Sequence, residues 1–286
     1  MLKATILPDR SILKMSGADA RGFLQGLITN DVDKLDTKRA LYAALLTPQG
    51  KIIADFFLAQ AGEAIYLDCA TSSAADLFSR LKRYRLRSTV VIEEMGNAYA
   101  VLASNDSAPQ NMNVITCNQD PRLTSLGYRW IAPSKELESE LALHSIEQEP
   151  REHYERHRIE CAIPDSVRDL TPETFFPLDC NFEELHGVDF DKGCYVGQEL
   201  TSRMKHRASS RRRILPVASN TMLPPLGTKL SSGGAEVGEM LGSFGRNGLA
   251  QIRLDRLGNS ERATADETHI RIGRPPYELT LTAEKE

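Results

Sequence analysis

No run of about 18 apolar residues occurs in the 286-residue chain, so no segment has the length and apolarity of a membrane-spanning helix. Cysteine is scarce and odd in number. Cys69, Cys117, Cys161, Cys180 and Cys194 include no Cys-x-x-Cys pair, which argues against a disulfide framework and against a self-contained zinc or iron–sulfur site. A positive excess is also lacking. Lys and Arg total 35 against 39 Asp and Glu, a formal charge of −4, where a nucleic-acid coat or a polybasic membrane binder needs net positive surface. Neither a Walker-type loop nor Gly-x-Gly-x-x-Gly is present, so nucleotide hydrolysis and dinucleotide redox chemistry have no support. Met1 to Met15 has neither the unbroken apolar stretch of a secretory signal nor the acid-free character of a transit peptide. The chain therefore reads as cytosolic, or as a mature form already processed.

What is present can build a core: 41% of residues are hydrophobic and 26% charged, and the length suggests about two domains. Leu13 to Ala20 runs from a strand into a Ser16-Gly17-Ala18-Asp19 turn that caps a helix ending near Leu27. Leu41–Leu46 and Ile52–Leu58 flank Pro48-Gln49-Gly50-Lys51 as a hairpin, and Ala64–Asp68 follows as a strand. Ala75, Leu77, Phe78 and Leu81 recur at helical spacing within Ser72–Tyr84, and Val90–Glu94 returns to strand. A second unit of the same kind starts near Tyr99, with helices over Ser134–Leu143 and Pro150–Glu160. From Arg211 the texture changes to short β-prone pieces between Gly, Pro and Asn, among them Ile214–Ala218, Ala235–Met240, Leu249–Arg253, His269–Arg271 and Tyr277–Leu281.

The densest segment is Lys192-Gly193-Cys194-Tyr195-Val196-Gly197-Gln198-Glu199, followed by a helix from Leu200 to Arg207. Cys194 then precedes a helix N-terminus, where the dipole and the Lys192 ammonium both favour thiolate. A reactive or ligand-donating cysteine is one reading, and a small buried residue filling a corner is the other.

This octapeptide resembles the signature of the YgfZ family, folate-binding proteins related to the glycine-cleavage T-protein, whose mitochondrial branch serves iron–sulfur cluster assembly. Phe23-Leu24-Gln25-Gly26 with Thr29-Asn30-Asp31 resembles the family's first helix and its exit, and Pro48-Gln49-Gly50-Lys51 its hairpin. Arg158 with Ile163-Pro164 is similar to its Arg-x-x-x-Gly-Ile-Pro element, with Ala162 where Gly is usual, and Gly242–Arg253 resembles the strand pair opening its C-terminal barrel. The resemblance implies an α+β fold: two related antiparallel-sheet and helix subdomains over residues 1–208, meeting near residue 97, and a C-terminal β-barrel over 209–286, around a central cavity.

It also implies a tetrahydrofolate ligand, no stable metal or cluster of the protein's own, and iron–sulfur client enzymes or cluster carriers as partners, with no nucleic acid and no membrane. Cys194 and Lys192 would carry the chemistry. Arg158, Lys192 and Arg203 are candidates for the folate's glutamate tail, because guanidinium forks match carboxylates and Lys supplies a point charge. Phe175 and Phe176 would flank its rings, and Tyr195, Gln198, Glu199 and Asp55 complete the set.

The T-protein relation raises a tetrahydrofolate-dependent aminomethyltransferase as a competing function, and a non-catalytic scaffold with a vestigial pocket is a third. The T-protein carries two successive acids after the hairpin, where this chain has Ala54-Asp55. Neighbouring strand residues point to opposite faces, so the acid is lost if position 54 faces the site and kept if position 55 does. Loss of one acid and the presence of Cys194 both tilt away from the transferase. Arg80 to Arg87, the most basic stretch, reads as a helix end followed by an alternating edge strand, with RNA contact as the alternative.

Overall fold

In the computed structural model, which describes residues 1–207 and 211–280, the chain opens with β1 (Lys3–Ile6), β2 (Arg10–Ser16) and α1 (Ala20–Gln25). It continues through β3 (Leu41–Leu46), β4 (Ile52–Ala61), β5 (Ala64–Ala70), α2 (Thr71–Tyr84), β6 (Val91–Glu94) and β7 (Tyr99–Ser104). After β8 (Thr116–Gln119), β9 (Tyr128–Pro133), α3 (Leu137–Leu143), β10 (Glu147–Gln148) and α4 (Arg151–Glu160), a long irregular stretch leads to α5 (Gln198–His206). β11 (Arg212–Ala218), β12 (Lys229–Ser232), β13 (Ala235–Phe244), β14 (Asn247–Arg253), α6 (Leu254–Leu257), β15 (Arg262–Ala265) and β16 (Thr268–Ile272) complete it. Two compact units result, interleaved in sequence. Met1–Thr47, Ile53–Tyr154 and Leu185–Val196 form the first, and Pro48–Ile52, Glu155–Glu184 and Gly197–Glu286 the second.

The first unit holds two five-stranded sheets, ordered β3-β4-β5-β2-β6 and β10-β1-β7-β9-β8. Edge strand β3 and its neighbour β4 are buried on both faces, which is why they read as nearly continuous apolar runs. Alternation sorts the side chains. Ala54, Phe56 and Leu58 of β4 join Ala43 and Leu45 of β3 and Leu67 of β5 in a core capped by Leu24 of α1 and by Leu77 and Leu81 of α2. Ala59 and Tyr66, on the other face, pack with Val101, Ala103 and Ile131 of the second sheet. Leu102 and Trp130 on that sheet's far face meet Leu137 and Leu141 of α3. Helices thus lie outside both sheets.

The second unit centres on a closed barrel, β11-β14-β13-β12-β15-β16, sealed where β16 returns to β11 at Val217 opposite Ile272. Its core is Val217, Leu230, Val237, Met240, Ile252 and their neighbours. The preceding segment is fastened to it by side chains. Asn181 completes β11 by donating to the Ile214 carbonyl oxygen at 2.7 Å and accepting from the Ile214 amide at 3.0 Å. The Tyr277 hydroxyl accepts from Asn181 at 2.9 Å and donates to the Ala162 carbonyl oxygen at 3.0 Å. Ala162 has φ +54°, in the left-handed region that favours glycine, the residue that the resemblance places there.

Several local expectations change. α1 ends at Gln25 rather than near Leu27, and Asp19 does not cap it, since its carboxylate accepts from Ser88 and Thr89 instead. The residues after α2 form a turn, not an edge strand. Tyr277 to Thr280 is irregular, because Tyr277 is held by the two side-chain bonds just described rather than by a ladder, and Leu281 lies outside the described residues, as does the boundary expected at 208/209. β12 and β15, four residues each and only partly buried, were not separable from turn sequence.

Candidate functional site

Three places gather the residues singled out above. The first is the Cys194 loop. Thr29 Oγ1 donates to the Gly187 carbonyl oxygen at 2.6 Å and Asn30 donates to the His186 carbonyl oxygen at 2.7 Å, laying the approach to the loop along the exit of α1. Lys192 then turns inward. Its ammonium donates to the carbonyl oxygens of Gln25, Ile28 and Asn30 at 2.9, 2.6 and 2.8 Å, so all three donors are engaged. Its Nζ also lies 5.0 Å from the centroid of the buried Tyr195 ring. Burial pulls the Lys192 pKa down to about 8, against the pull of Asp31, Asp189 and Asp33.

Val196 packs on the core of the first unit. Gly193 and Cys194 are left exposed between these two anchors. This corrects the role expected of Lys192. The lysine, 7% exposed, is a peg satisfying helix-exit carbonyls, not a charge turned toward the thiol. The two stretches that carry the family resemblance, around Gln25 to Asn30 and around Cys194, are bonded to each other through it. Cys69, Cys161 and Cys180 are buried and Cys117 is partly so, which makes Cys194 the exposed thiol. Among the described residues no three His, Cys, Asp or Glu side chains converge to hold a metal ion. α5 begins at Gln198 after Gly197 at φ +82°, four residues beyond Cys194 and two before the expected Leu200.

The second place is the polar face of β4. Ala54 lies in the hydrophobic core, so Asp55 takes the opposite face of the strand. Asp55 is 3% exposed; Oδ2 accepts from the Tyr42 hydroxyl at 2.9 Å, and Oδ1 is buried with no hydrogen-bond partner. Tyr42 and Phe57 stack beside it with ring centroids 5.2 Å apart. Three guanidiniums surround Phe57, those of Arg129, Arg122 and Arg10 at 3.9, 4.6 and 5.5 Å from its centroid.

Each guanidinium is neutralised. Arg10 binds Asp68 at 2.6 Å, Arg129 binds the other Asp68 oxygen, and Arg122 forks onto Asp120 at 3.0 and 2.8 Å. Burial alone would raise both carboxyls, but Arg10 with Arg129 holds Asp68, and Arg122 with Arg129 holds Asp120, below the usual carboxylate range. Sequence reading missed this cluster. Its signal was there, in lone charges within apolar strands, Asp68 after Tyr66-Leu67 and Arg129 between Tyr128 and Trp130.

The third place is the hairpin tip in the second unit. Gly50 at φ +74° sits so close to Gly197 and Leu200 that a side chain there would press on the start of α5. Ile52 and the chain at Glu173 and Phe175 exchange backbone bonds of 2.7 and 2.9 Å. Lys51 donates to the Thr174 carbonyl oxygen at 2.5 Å and lies 4.1 Å from the Phe176 centroid. Phe175 is buried and Phe176 half-buried. On α5, Gln198 is half-buried, and the exposed Glu199 accepts from Arg203 one turn on.

Arg158 is corrected too. It is 2% exposed, bonded to Glu155 at 2.8 Å, Asp169 at 2.7 Å and the Ile163 carbonyl oxygen at 3.0 Å. A guanidinium so enclosed holds its own segment together and has no fork left for a ligand's carboxylate.

Comparison with known proteins follows the same division. Residues 10–135 match the model of the GCVT N-terminal domain, and residues 211–278 that of the CAF17 C-terminal beta-barrel domain. The human iron–sulfur cluster assembly factor IBA57, mitochondrial, is 31% identical over 278 residues, covering 88% of this chain and 77% of that protein. The chain belongs to the IBA57 family of iron–sulfur cluster assembly factors. The IBA57 homologue of Mycosarcoma maydis is 34% identical over 231 residues, and that of Neurospora crassa 32% over 232. The chain spans 57% and 52% of these two longer relatives. The crystal structure of the glycine cleavage system aminomethyltransferase T from Bartonella henselae superposes with a TM-score of 0.77 at 14% identity, covering 96% of this chain and 86% of that one. At that identity the likeness shows the fold alone, a T-protein-like arrangement of sheets, helices and closed barrel.

Proposed function

We propose that this IBA57-family chain assists assembly or repair of iron–sulfur clusters in client enzymes, as a YgfZ-type factor acting through Cys194. The observation that carries the reading is the exposure of Cys194 on a loop fixed on one side by Lys192 and on the other by Tyr195 and Val196. A [4Fe–4S] cluster takes four thiolates, so a single cysteine acts transiently, as a shared ligand to a cluster borne by a client enzyme or carrier, or as a nucleophile toward it. The relatives named above are mitochondrial; for this chain the reading is a bacterial-type cytoplasmic protein or a processed mitochondrial form, which subcellular fractionation separates. In cells whose sole copy is Cys194→Ala, activity of [4Fe–4S] enzymes should fall while Cys117→Ala leaves it intact. Equal support by both variants sinks the cysteine reading.

We further propose that the polar face of β4 receives the ring system of a reduced folate. The fit rests on Asp55, whose unpartnered buried oxygen is the acceptor that a ring N–H requires. A bound tetrahydrofolate would supply one-carbon chemistry, and Asp55 with Tyr42 would orient it. Arg158 and Lys192 are occupied elsewhere and are not part of this proposal. Calorimetric titration with tetrahydrofolate should show saturable binding that Asp55→Asn weakens. No heat at millimolar folate removes the ligand. Retention of Asp55 is also what an aminomethyltransferase requires; ammonia release from an aminomethylated carrier protein, dependent on folate, would favour that second reading.

A further inference from the structure

The basic stretch after α2 takes no part in the sites above. α2 ends at Tyr84, and the Ser88 amide donates to the Arg85 carbonyl oxygen at 2.8 Å, closing a turn with Leu86 at φ +45°. Leucine is strained there, and its side chain is 88% exposed. The turn is nonetheless fixed in place, because Asp19 accepts from the Thr89 amide and hydroxyl at 2.7 and 2.8 Å and from Ser88 at 3.3 Å. Lys82, Arg83, Arg85 and Arg87 are all exposed. Among the described residues Arg83, Arg85 and Arg87 have no carboxylate partner, in a chain that is net acidic. Between this turn and α1 lies a recess of about 450 Å³, lined by Ala18, Gly22, Phe23, Tyr84, Leu86 and Ser88 among others.

We propose that this recess docks an acidic segment of a partner protein, which inserts one apolar side chain beside Phe23 and Leu86 while its carboxylates meet Arg83, Arg85 and Arg87. The chemistry selects a protein over other anions. The apolar surfaces of Ala18, Phe23 and Leu86 in the wall give a phosphate chain nothing to bind, one exposed aromatic is no stacking platform for bases, and a bilayer surface does not fill a concavity. α1 is six residues, about 9 Å, from this recess to the carbonyls that hold Lys192, so a docked partner lies near the Cys194 loop. Binding itself does not depend on the cysteine's role, and each can fail without the other.

The test is fluorescence anisotropy of a labelled peptide of aspartate and glutamate around one central leucine, titrated with the full chain. Saturable binding is expected, weakened about tenfold or more by high salt, by serine in place of the peptide's leucine, by Leu86→Gly and by Gly22→Leu. Gly22→Leu is a folding-neutral block, since a side chain at this helical position meets open space at the recess and leucine favours helix over glycine. Absence of saturable binding overturns the proposal. So does binding indifferent to both Gly22→Leu and Leu86→Gly, or tighter binding of single-stranded RNA or anionic vesicles than of the peptide.

Discussion

Replacing Lys192 by methionine isolates the peg beneath the Cys194 loop. The apolar stem is kept and three donors are lost, leaving the carbonyls of Gln25, Ile28 and Asn30 without them. A buried acceptor without a partner costs ~1–3 kcal/mol, so three cost roughly 6 kcal/mol. Methionine regains the penalty of burying the ammonium. The depression of the Lys192 pKa from 10.5 to about 8 puts that at ~3.5 kcal/mol, at ~1.4 kcal/mol per unit. The net expectation is a loss of about 2.5 kcal/mol. Urea unfolding followed by Trp130 reads it directly, because this single tryptophan is fully buried in the same unit as Lys192. A change below about 1 kcal/mol refutes the peg. A second arm tests direction of action: the pH profile of Cys194 alkylation should be the same in parent and Lys192→Met, and a shift to higher pH in the variant would mean that the ammonium does act on the thiol.

Further outcomes follow from the same geometry. A methyl group at Gly242 would overlap Asp169 Oδ1 and force the carboxylate off Arg158, so Gly242→Ala should cost ~3–5 kcal/mol in urea unfolding followed by circular dichroism, and a neutral result contradicts the pair's role. Ala162→Gly relieves a left-handed alanine and should stabilise by about 1 kcal/mol in the same assay; destabilisation would mean that φ +54° carries no strain. Asp68 and Asp120 titrate lower in the folded than in the unfolded chain. Their contribution is therefore complete above the unfolded value of about 3.9 and is lost as pH falls through the lower folded values, so the Trp130 signal should survive pH ~4 and collapse below it. An acid transition centred above pH ~5 excludes these two carboxylates as its cause.

Much of the architecture was legible because it rests on short-range pattern. The apolar run of Ile52–Leu58, the helical spacing in Ser72–Tyr84 and the Gly- and Pro-punctuated strands after Arg211 each report what burial imposes on neighbouring residues. The side that Asp55 faces was not legible, since alternation separates it from Ala54 but does not say which face meets the helices; packing of Ala54 against the α1 and α2 side decides it. Lys192 and Arg158 were misjudged for one reason. A cation beside a motif looks available in sequence, whereas its partners lie elsewhere. Those of Lys192 are more than 160 positions away, and those of Arg158 lie on its own helix and in the irregular loop after it, where no periodicity exposes the pairing. The Phe57 cluster was hidden in the same way, because Asp68 and Arg129 are brought together only by the stacking of two sheets.

The claim on which the rest depends is that the exposed, anchored thiol of Cys194 is the working group. Brief alkylation of the native chain, read by mass spectrometry, should modify Cys194 and leave buried Cys69, Cys161 and Cys180 untouched. The singly modified protein, added to an extract depleted of the chain, should then fail to restore [4Fe–4S] enzyme activity that the unmodified protein restores. Full restoration by protein alkylated at Cys194 would contradict the account.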